Sequence, residues 1–333
     1  MLTCKLPVII SVLLWSTIFS STGKAQTTSD VEYHRIGNPA DVQTKTAGGL
    51  ALLGGGPDVD AAFKWMIERS GGGDFVVLRA SGTEDYNPYI NHLGKVDSVE
   101  TLIIKSRAAA NDQFAVEKIR QAEALFIAGG NQANYLNFWK GTPVEEAIQF
   151  LVNKQVPIGG TSAGLSVLGE FCFPALKDTL TSKAALANPF DEKLILEKAF
   201  LTLPNLQGII TDSHFVERDR MGRLLAFLAY IKANQWATTV KAIALDRETA
   251  VLIEADGRAT VRGKHTAYLF RVASNPEVYK PNEPLTYRHI AVYRMSGKAT
   301  FNLKSWQGTG GTAYKISAEK GVLVSTQSAR QIY

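Results

Sequence analysis

Short apolar runs that end in glycine, and that alternate with helical patterns, constrain the fold of this chain most strongly. Residues 48–56 (GGLALLGGG), 124–130 (ALFIAGG) and 156–160 (VPIGG) are three such runs. Between the first two, residues 58–73 carry apolar side chains at helical spacing and close on glycines. Continuously apolar strands that alternate with helices are typical of a parallel sheet covered on both faces. The pattern therefore predicts an α/β fold with a doubly wound, mostly parallel sheet.

The glycines mark the carboxyl ends of the predicted strands. In an open α/β sheet these ends lie on one rim, and ligands bind there. The glycine-rich ends that begin at residues 54, 129 and 159 are therefore expected to face the same site.

The pattern changes after residue 240, where β-rich runs with period-two stretches and turn residues follow one another. Residues 241–272 and 285–303 are the clearest examples. They predict antiparallel strands that extend or flank the sheet. We expect a single domain over residues 47–333, with a β-rich tail from about residue 256.

The N-terminus has the pattern of an export signal. Lys5 precedes an uncharged apolar stretch, residues 6–20, and Gly23 and Ala25 supply small residues before a cleavage site. We expect cleavage after Ala25 and a secreted or periplasmic product that leaves the membrane, with an uncleaved anchor as the alternative. Residues 26–46 are polar and without a period, which predicts a loose leader.

Cysteine usage and charge exclude two further classes. Only Cys172 of the two cysteines remains after residue 25, so an internal disulfide is excluded. Its neighbours Phe171 and Phe173 favour a buried, unreactive thiol. The net charge of +5 is mild and no dense run of Lys and Arg occurs, so nucleic acid is not an expected partner.

A Gly-x-Ser-x-Gly pattern, GTSAG at residues 160–164, lies between a predicted strand and a predicted helix. This context is typical of a nucleophile elbow, in which a strained turn exposes the serine hydroxyl and small neighbours avoid collisions. A tight turn without a chemical role is the alternative. If Ser162 is the nucleophile, the backbone N–H of Ala163 is one oxyanion donor, and that of Gly130 or Gly129 is the second.

A serine nucleophile needs a base, and His214 is the best placed of the five histidines. It follows the apolar run GII, so it is expected on the same rim as Ser162. Beyond it, Arg218, Arg220 and Arg223 crowd the start of a predicted helix. Cations oppose the helix dipole at that end, which favours a binding role over a merely solvated surface, such as a fork on a substrate carboxylate.

Together these motifs resemble the cyanophycinase branch of the S51 serine peptidases, which also holds the α-aspartyl dipeptidases. The matching stretches are ALLGGG, LFIAGGNQ, GGTSAG, TDSHFVERDRMGRLLA and ALDRETAVLI, in the family's order, over about residues 47–325. The resemblance implies a class-I glutamine-amidotransferase-like (flavodoxin-like) α/β fold. It also implies a serine nucleophile with a histidine partner, and neither a metal nor an organic cofactor.

By motif position, the resemblance implies that Ser162 is the nucleophile and His214 the base. The residues that fall where the family builds its substrate pocket are Gln132, Asp212, Arg218, Arg220 and Arg223. Cyanophycinases release β-Asp-Arg dipeptides from an aspartate polymer that carries arginines on its side chains. The implied substrate is therefore an aspartate-rich peptide, and because relatives often form dimers, a homodimer is the expected assembly.

Two departures from the family's pattern concern the site. The family usually has Gln where this chain has Ser213, which alters one pocket contact. The family's acid is the second acidic residue of an Ile-Asp-Glu-x-Thr-Ala stretch, whereas LDRETA in this chain places Arg247 at that position.

The acid of the triad must then come from elsewhere. Because side chains alternate along a strand, Asp246 and Glu248 share the face opposite to Arg247. We predict that Glu248 is the acid and that a local bulge brings it to His214. Glu170 is another candidate, and a Ser–His dyad with an oriented water is the remaining alternative.

The leading hypothesis is thus a secreted serine-type exopeptidase that cleaves aspartyl peptides through an acyl-enzyme on Ser162. The alternative within the enzyme class is an α-aspartyl dipeptidase. Outside that class, Arg247 motivates a secreted binding protein with a degenerate triad.

Overall fold

The structure of the protein is a computed structural model that describes residues 1–2, 31–198 and 200–333. The expected signal sequence, residues 1–25, lies outside the described residues apart from its first two positions. Along the described part of the chain, no helix combines the length and the apolar character needed to cross a membrane.

The helices of the described residues are α1 Asp60–Arg69, α2 Tyr86–Leu93, α3 Gln113–Gln121, α4 Gln132–Trp139, α5 Pro143–Asn153, α6 Ala163–Ser166, α7 Ser182–Ala187 and α8 Met221–Ala233. Short 3₁₀ turns lie at Ala109–Asn111 and Ser328–Arg330. Helix α4 begins where Asn131 accepts a hydrogen bond from the N–H of Ala133, which satisfies one of the free donors at the helix start.

The strands of the described residues are β1 Val31–Gly37, β2 Gly49–Leu53, β3 Phe75–Arg79, β4 Ser98–Ile104, β5 Ala124–Ile127, β6 Pro157–Thr161, β7 Phe171–Cys172, β8 Glu197–Lys198, β9 Ile209–Asp212, β10 Val240–Leu245, β11 Thr249–Glu254, β12 Arg258–Gly263, β13 Ala267–Val272, β14 Tyr287–Met295, β15 Thr300–Asn302, β16 Gln307–Thr309, β17 Thr312–Glu319 and β18 Val322–Ser325.

The strands form two sheets. The first has the order β1-β4-β3-β5-β6-β2-β11-β12-β15-β16, and its segment from β4 to β2 is parallel. The second has the order β18-β17-β14-β13-β10-β9-β7-β8, with β10, β9 and β7 parallel. The predicted α/β class and β-rich extension are confirmed, but the extension is divided between two sheets, and β9 and β10 belong to the second.

The first sheet is covered on both faces because its central strands are apolar on both. Leu50 and Leu52 of β2 belong to a buried cluster that includes α3 and α5. Ala51 and Leu53, on the other face, belong to a cluster with Phe63 of α1. A third cluster fills the space between the second sheet and helices α7 and α8. Successive residues of a strand thus alternate between two covered faces of the sheet, as the continuously apolar runs predicted.

The structure differs from the predicted loose leader over residues 31–37, which form β1. This strand pairs antiparallel with β4 at the sheet edge. Val31 and Tyr33 pack against the core, and the Tyr33 ring meets Phe114 edge-on with centroids 5.0 Å apart. These two apolar side chains hold the edge strand on the core. They are too few to produce a recognisable period-two pattern in the sequence.

The two sheets meet at a shared rim. Residues 246–248, called here the crossing segment, connect β10 of the second sheet to β11 of the first. The N–H of His214 donates to the carbonyl of Gly54 at 2.8 Å, and that of Phe215 donates to the carbonyl of Leu245 at 3.1 Å. The rim predicted from the glycine-rich strand ends is thus present, and it is built from both sheets.

A stability prediction follows from the packing at this rim. A Cβ on Gly164 would overlap the carbonyl oxygen of Ile127, which is backbone and cannot swing aside. We expect Gly164→Ala to lower the free energy of unfolding by about 3 kcal/mol or more, measured by urea denaturation. Gly129→Ala is the matched control, because its Cβ would lie 3.5 Å from its nearest neighbour and should cost less than about 1 kcal/mol. Equal losses in the two variants would contradict the close approach.

Candidate active site

Ser162 occupies the turn between β6 and α6, with φ 52° and ψ −111°. This backbone conformation is strained for a residue that carries a side chain. The flanking glycines are needed for packing: a Cβ on Gly160 would lie 2.8 Å from the carbonyl carbon of Gly164, which itself packs on the end of β5. The backbone geometry expected of a nucleophile elbow is therefore present.

His214 lies two residues beyond the end of β9, and its Nε2 is 3.0 Å from the hydroxyl oxygen of Ser162. The imidazole is buried because the glycine loop after β2 packs directly on it. A Cβ on Gly55 would overlap the ring at Nε2. The run of glycines at residues 54–56 thus provides the space that the histidine fills.

Glu217 holds the other side of the imidazole. Its Oε2 is 3.0 Å from Nδ1 of His214, three residues earlier in the same turn. With Nδ1–H donating to this carboxylate, Nε2 keeps the lone pair that accepts the hydrogen bond from Ser162. Ser162, His214 and Glu217 are therefore arranged as a nucleophile, a base and an acid that orients the base.

Glu248, predicted as the acid, lies elsewhere. Its carboxylate pairs with Lys264 and with Arg247, at 3.1 Å from Nη2 of the latter. A positive φ of 51° bends the backbone at Glu248, as the prediction required, but the side chain is turned to these cations rather than to His214. The sequence signal that was overlooked is the spacing His-x-x-Glu, which places a carboxylate one turn beyond the base.

Glu170, the other candidate, is also engaged elsewhere, because its Oε2 accepts a hydrogen bond from the N–H of Gly208 at 2.5 Å.

Burial lowers the pKa of His214 below its ordinary value of 6.5. The hydrogen bond to Glu217 raises the pKa, and the nearby guanidinium groups of Arg218 and Arg220 lower it, so burial with the cations prevails. The hydrogen bond from His214 in turn lowers the pKa of Glu217. At neutral pH the pair is thus a neutral imidazole beside an ionised carboxylate, which is the state a general base needs.

Two of the three arginines predicted to bind substrate instead hold Asp212. Arg223 is bidentate on this carboxylate, with Nε at 3.0 Å from Oδ2, and Nη1 of Arg220 is 3.2 Å from Oδ1. Burial raises the pKa of Asp212, but Arg223 and Arg220 outweigh it and keep the pKa below its ordinary value. The arginine side chains are 5% and 11% exposed, so this ion cluster is internal and positions the loop that bears His214.

The remaining predicted pocket residues border the same region. Arg218 is exposed on the turn after His214. Gln132 donates its side-chain amide to the carbonyl of Phe173 at 3.3 Å, and the ring of Phe173 lies 5.3 Å from the guanidinium carbon of Arg223.

The predicted oxyanion donors belong to the residue that follows Ser162 and to the loop that packs beside it. Ala163 is the first residue of α6. Gly130 is exposed in the loop before α4, next to Gly129, where a Cβ would lie 3.5 Å from that of Ser162.

Cys172 plays no part in this arrangement. It is fully buried, as expected, and burial raises the pKa of its thiol, which disfavours the reactive thiolate. Within residues 31–198 and 200–333, no group of three or more His, Cys, Asp or Glu is placed to hold a metal ion.

The electrostatics of His214 can be measured directly by NMR titration of its imidazole, with His214→Ala identifying the resonance. We expect the midpoint to lie below 6.5. Glu217→Gln removes a group that favours the imidazolium, so it should lower the pKa further. Arg218→Gln removes a group that disfavours it, so it should raise the pKa. Shifts of the same sign in both variants would show that the geometry assigned here is wrong.

Comparison with known proteins places the chain in a family. The family model described as peptidase family S51 matches residues 53–258, which is more than half of the chain. A cyanophycinase of Nostoc sp. is 26% identical over 212 residues, which cover 62% of this chain and 66%, just under two thirds, of that protein. A cyanophycinase of Synechococcus elongatus is 25% identical over 277 residues, which cover 78% of this chain and 80% of that one.

A solved structure agrees on the fold. The crystal structure of a peptidase from an acI-B1 Actinobacterium matches with a TM-score of 0.51 at 18% identity, covering 68% of this chain and 91% of that one. At this identity the likeness concerns the fold alone. The resemblance inferred from the motifs is confirmed, and so, at the level of the family, is the prediction of a hydrolase of peptide bonds. The chain belongs to peptidase family S51.

Proposed function

We propose that this protein is a secreted, cyanophycinase-like serine exopeptidase that hydrolyses aspartyl peptides of the β-Asp-Arg type through an acyl-enzyme on Ser162. The observation that carries the proposal is the continuous line of contacts from Ser162 through His214 to Glu217, each 3.0 Å long. This combination of a nucleophile, a base and a group that orients the base supports serine-dependent acyl transfer.

In the acylation half of the reaction, Nε2 of His214 takes the proton of the Ser162 hydroxyl while Oγ attacks the peptide carbonyl carbon. The N–H groups of Ala163 and Gly130 stabilise the oxyanion that forms. The C–N bond then breaks, His214 gives the proton to the leaving amine, and the acyl group remains on Ser162 as an ester.

In the deacylation half, a water molecule attacks the ester carbonyl carbon while His214 accepts its proton. The bond between the acyl carbon and Oγ of Ser162 then breaks, the imidazolium returns the proton to Oγ, and the acyl group leaves as a carboxylic acid. Glu217 stays ionised throughout, keeps Nδ1–H in place and stabilises the imidazolium. The lowered pKa of His214 keeps the base unprotonated at neutral pH, as the first step requires.

The substrate class is supported by the relatives, of which several bear the name cyanophycinase, and by exposed cations around the rim, among them Arg218 and Arg247. An α-aspartyl dipeptidase is the alternative enzyme, and the sizes of products from a polymer digest distinguish the two. The binding-protein hypothesis rested on the loss of an acid at residue 247, and the contact from Glu217 to His214 removes that reason for it.

Export and assembly belong to the same proposal. The pattern of residues 1–25 supports export, and N-terminal sequencing of the mature protein tests it. The family resemblance supports a homodimer, which light scattering after size-exclusion chromatography tests.

Replacement of the nucleophile tests the reaction. We expect Ser162→Ala to abolish hydrolysis of β-Asp-Arg polymer and of Asp-X dipeptides, measured by the release of free amines. A fluorophosphonate probe should label Ser162 in the wild type and should fail to label the His214→Ala variant. Wild-type protein that is folded but cleaves none of these substrates would falsify the substrate assignment, and absence of labelling would remove the serine mechanism.

The identity of the acid is tested by a pair of glutamate variants. We expect Glu217→Gln to lower kcat by about 10²- to 10⁴-fold, because the imidazole loses both its orientation and its counter-charge. The exposure of Glu217 to solvent favours the lower part of that range. Glu248→Gln should cost at least about ten times less, since Glu248 makes no contact with His214. The reverse order of the two losses would return the role to Glu248.

A further inference from the structure

Arg247 lies beside the base, in the crossing segment. The glycine loop after β2 contacts both residues, because Gly55 packs on the His214 ring and Gly56 packs on Arg247. A Cβ on Gly56 would lie 3.1 Å from Cβ and 3.4 Å from Nε of Arg247. Gly56 follows Gly55 directly, so Arg247 packs on the same loop one residue beyond the point that holds the imidazole.

The guanidinium of Arg247 is only partly used by the protein. Its side chain is 42% exposed, and Nη2 lies 3.1 Å from Oε1 of Glu248. Its Nε is buried without a hydrogen-bond partner. Within the described residues, Nη1 makes no contact with an acceptor, so the guanidinium has an open donor edge at the rim.

The two arginines of the Asp212 cluster provide the contrast. Arg220 and Arg223 are nearly buried. Arg223 donates through Nε and Nη2 to Asp212, and Nη1 of Arg220 donates to Asp212 and to the carbonyl of Ser213. Arg247 can therefore still form the pair of hydrogen bonds to a substrate carboxylate that the sequence pattern suggested for those two residues.

The charges around His214 favour an anion. The exposed cations are Arg218, Arg247 and Lys264, and the carboxylates near them are Glu217, Asp219 and Glu248. Glu248 is shared between Lys264 and Arg247, and Glu217 is bonded to His214. Asp219 accepts a hydrogen bond from the hydroxyl of Tyr333, so each of these carboxylates is engaged within the protein, and the guanidinium groups can still accept a carboxylate from a ligand.

We propose that Arg247 is a specificity-determining residue that binds a carboxylate of the peptide substrate next to the scissile bond. The inference rests on the proposed peptidase function and names the chemistry that the site selects. A guanidinium recognises a carboxylate through two parallel hydrogen bonds, whereas a lysine offers only a point charge. The carboxylate has two chemical sources, the side chain of the residue that is acylated and the free carboxylate of a residue in the leaving part.

The competing role for Arg247 is electrostatic. Its charge contributes to lowering the pKa of Glu217, and through Glu217 it could affect His214. That role would alter the turnover of every substrate to the same extent, because it acts on the base and not on the ligand. Selectivity between a substrate and its neutral analogue therefore separates the two roles.

The experiment compares two matched substrate pairs with wild type, Arg247→Gln and Arg247→Lys. One pair is Asp-Leu and Asn-Leu, which differ in the carboxylate of the acylated residue. The other is the dimer of β-Asp-Arg with its arginine carboxylates free or converted to carboxamides.

We expect Arg247→Gln to reduce kcat/KM about 10- to 100-fold for the carboxylate member of one pair, mainly through KM, and to leave its neutral partner within about twofold. The pair that responds identifies the source of the carboxylate. Arg247→Lys should show an intermediate loss. Arg258→Gln, which removes the same charge from an exposed residue at the far end of the β11–β12 hairpin, is the control for net charge.

Equal losses on both members of each pair, or no loss, would overturn the proposal. A binding measurement keeps it independent of turnover. Calorimetric titration of the β-Asp-Arg dimer into Ser162→Ala should give an affinity that falls about tenfold or more when Arg247→Gln is added. If the wild type hydrolyses no peptide, the proposed function fails. The binding measurement then decides the role of Arg247 by itself, and an affinity that is the same in Ser162→Ala with and without Arg247→Gln would reject that role.

Discussion

The close approach of three backbone segments at the rim is the constraint on which the rest of the site depends. Gly54 packs so tightly on the crossing segment that a Cβ would overlap the carbonyl oxygen of Asp246, and Gly55 leaves no space for a side chain against His214. Because no side chain separates these segments, strand ends from two different sheets share hydrogen bonds, as between His214 and Gly54. The distance between Ser162 and His214 is therefore set by backbone packing, and both side chains extend from positions that the sheets already define.

The second sheet and the β-rich tail contribute to that packing. Asp246 is buried at the start of the crossing segment and accepts hydrogen bonds from the N–H groups of Val216 and Thr266, at 3.1 and 3.3 Å. Burial raises the pKa of Asp246 to about 6. From the far end of the chain, the hydroxyl of Tyr333 donates to Asp219 at 2.8 Å and accepts from the N–H of Met221 at 3.0 Å. The turn that carries His214 and Glu217 is thus held from both sides, so the tail has a role in the site beyond the completion of a sheet.

The sequence was most informative where a side chain's position follows from the end of a strand. Ser162 and His214 were predicted because glycine and apolar patterns locate strand ends, and strand ends of an α/β fold share a rim. The acid was misplaced because it was sought beside the family's position in LDRETA, whereas Glu217 reaches His214 from three residues further along the same turn. The arginines were misjudged because charge alone does not name a partner. Only the packing of α8 beside β9 shows that Asp212 neutralises Arg223.

Glu217 lies on the same turn as His214, whereas the family's acid lies at the position of Arg247 in the crossing segment. This difference has physical consequences for the site. Glu217 is three residues from His214, so their contact depends on one local turn and not on the distance between sheets. The carboxylate is also 38% exposed, so water screens its effect, and burial with the neighbouring cations still prevails in lowering the pKa of His214. Screening has a second effect, because a solvated Glu217 can tolerate a guanidinium nearby without losing its bond to the imidazole. The crossing segment, relieved of the need to supply an acid, can then present a cation to the substrate, and Arg247 occupies that place.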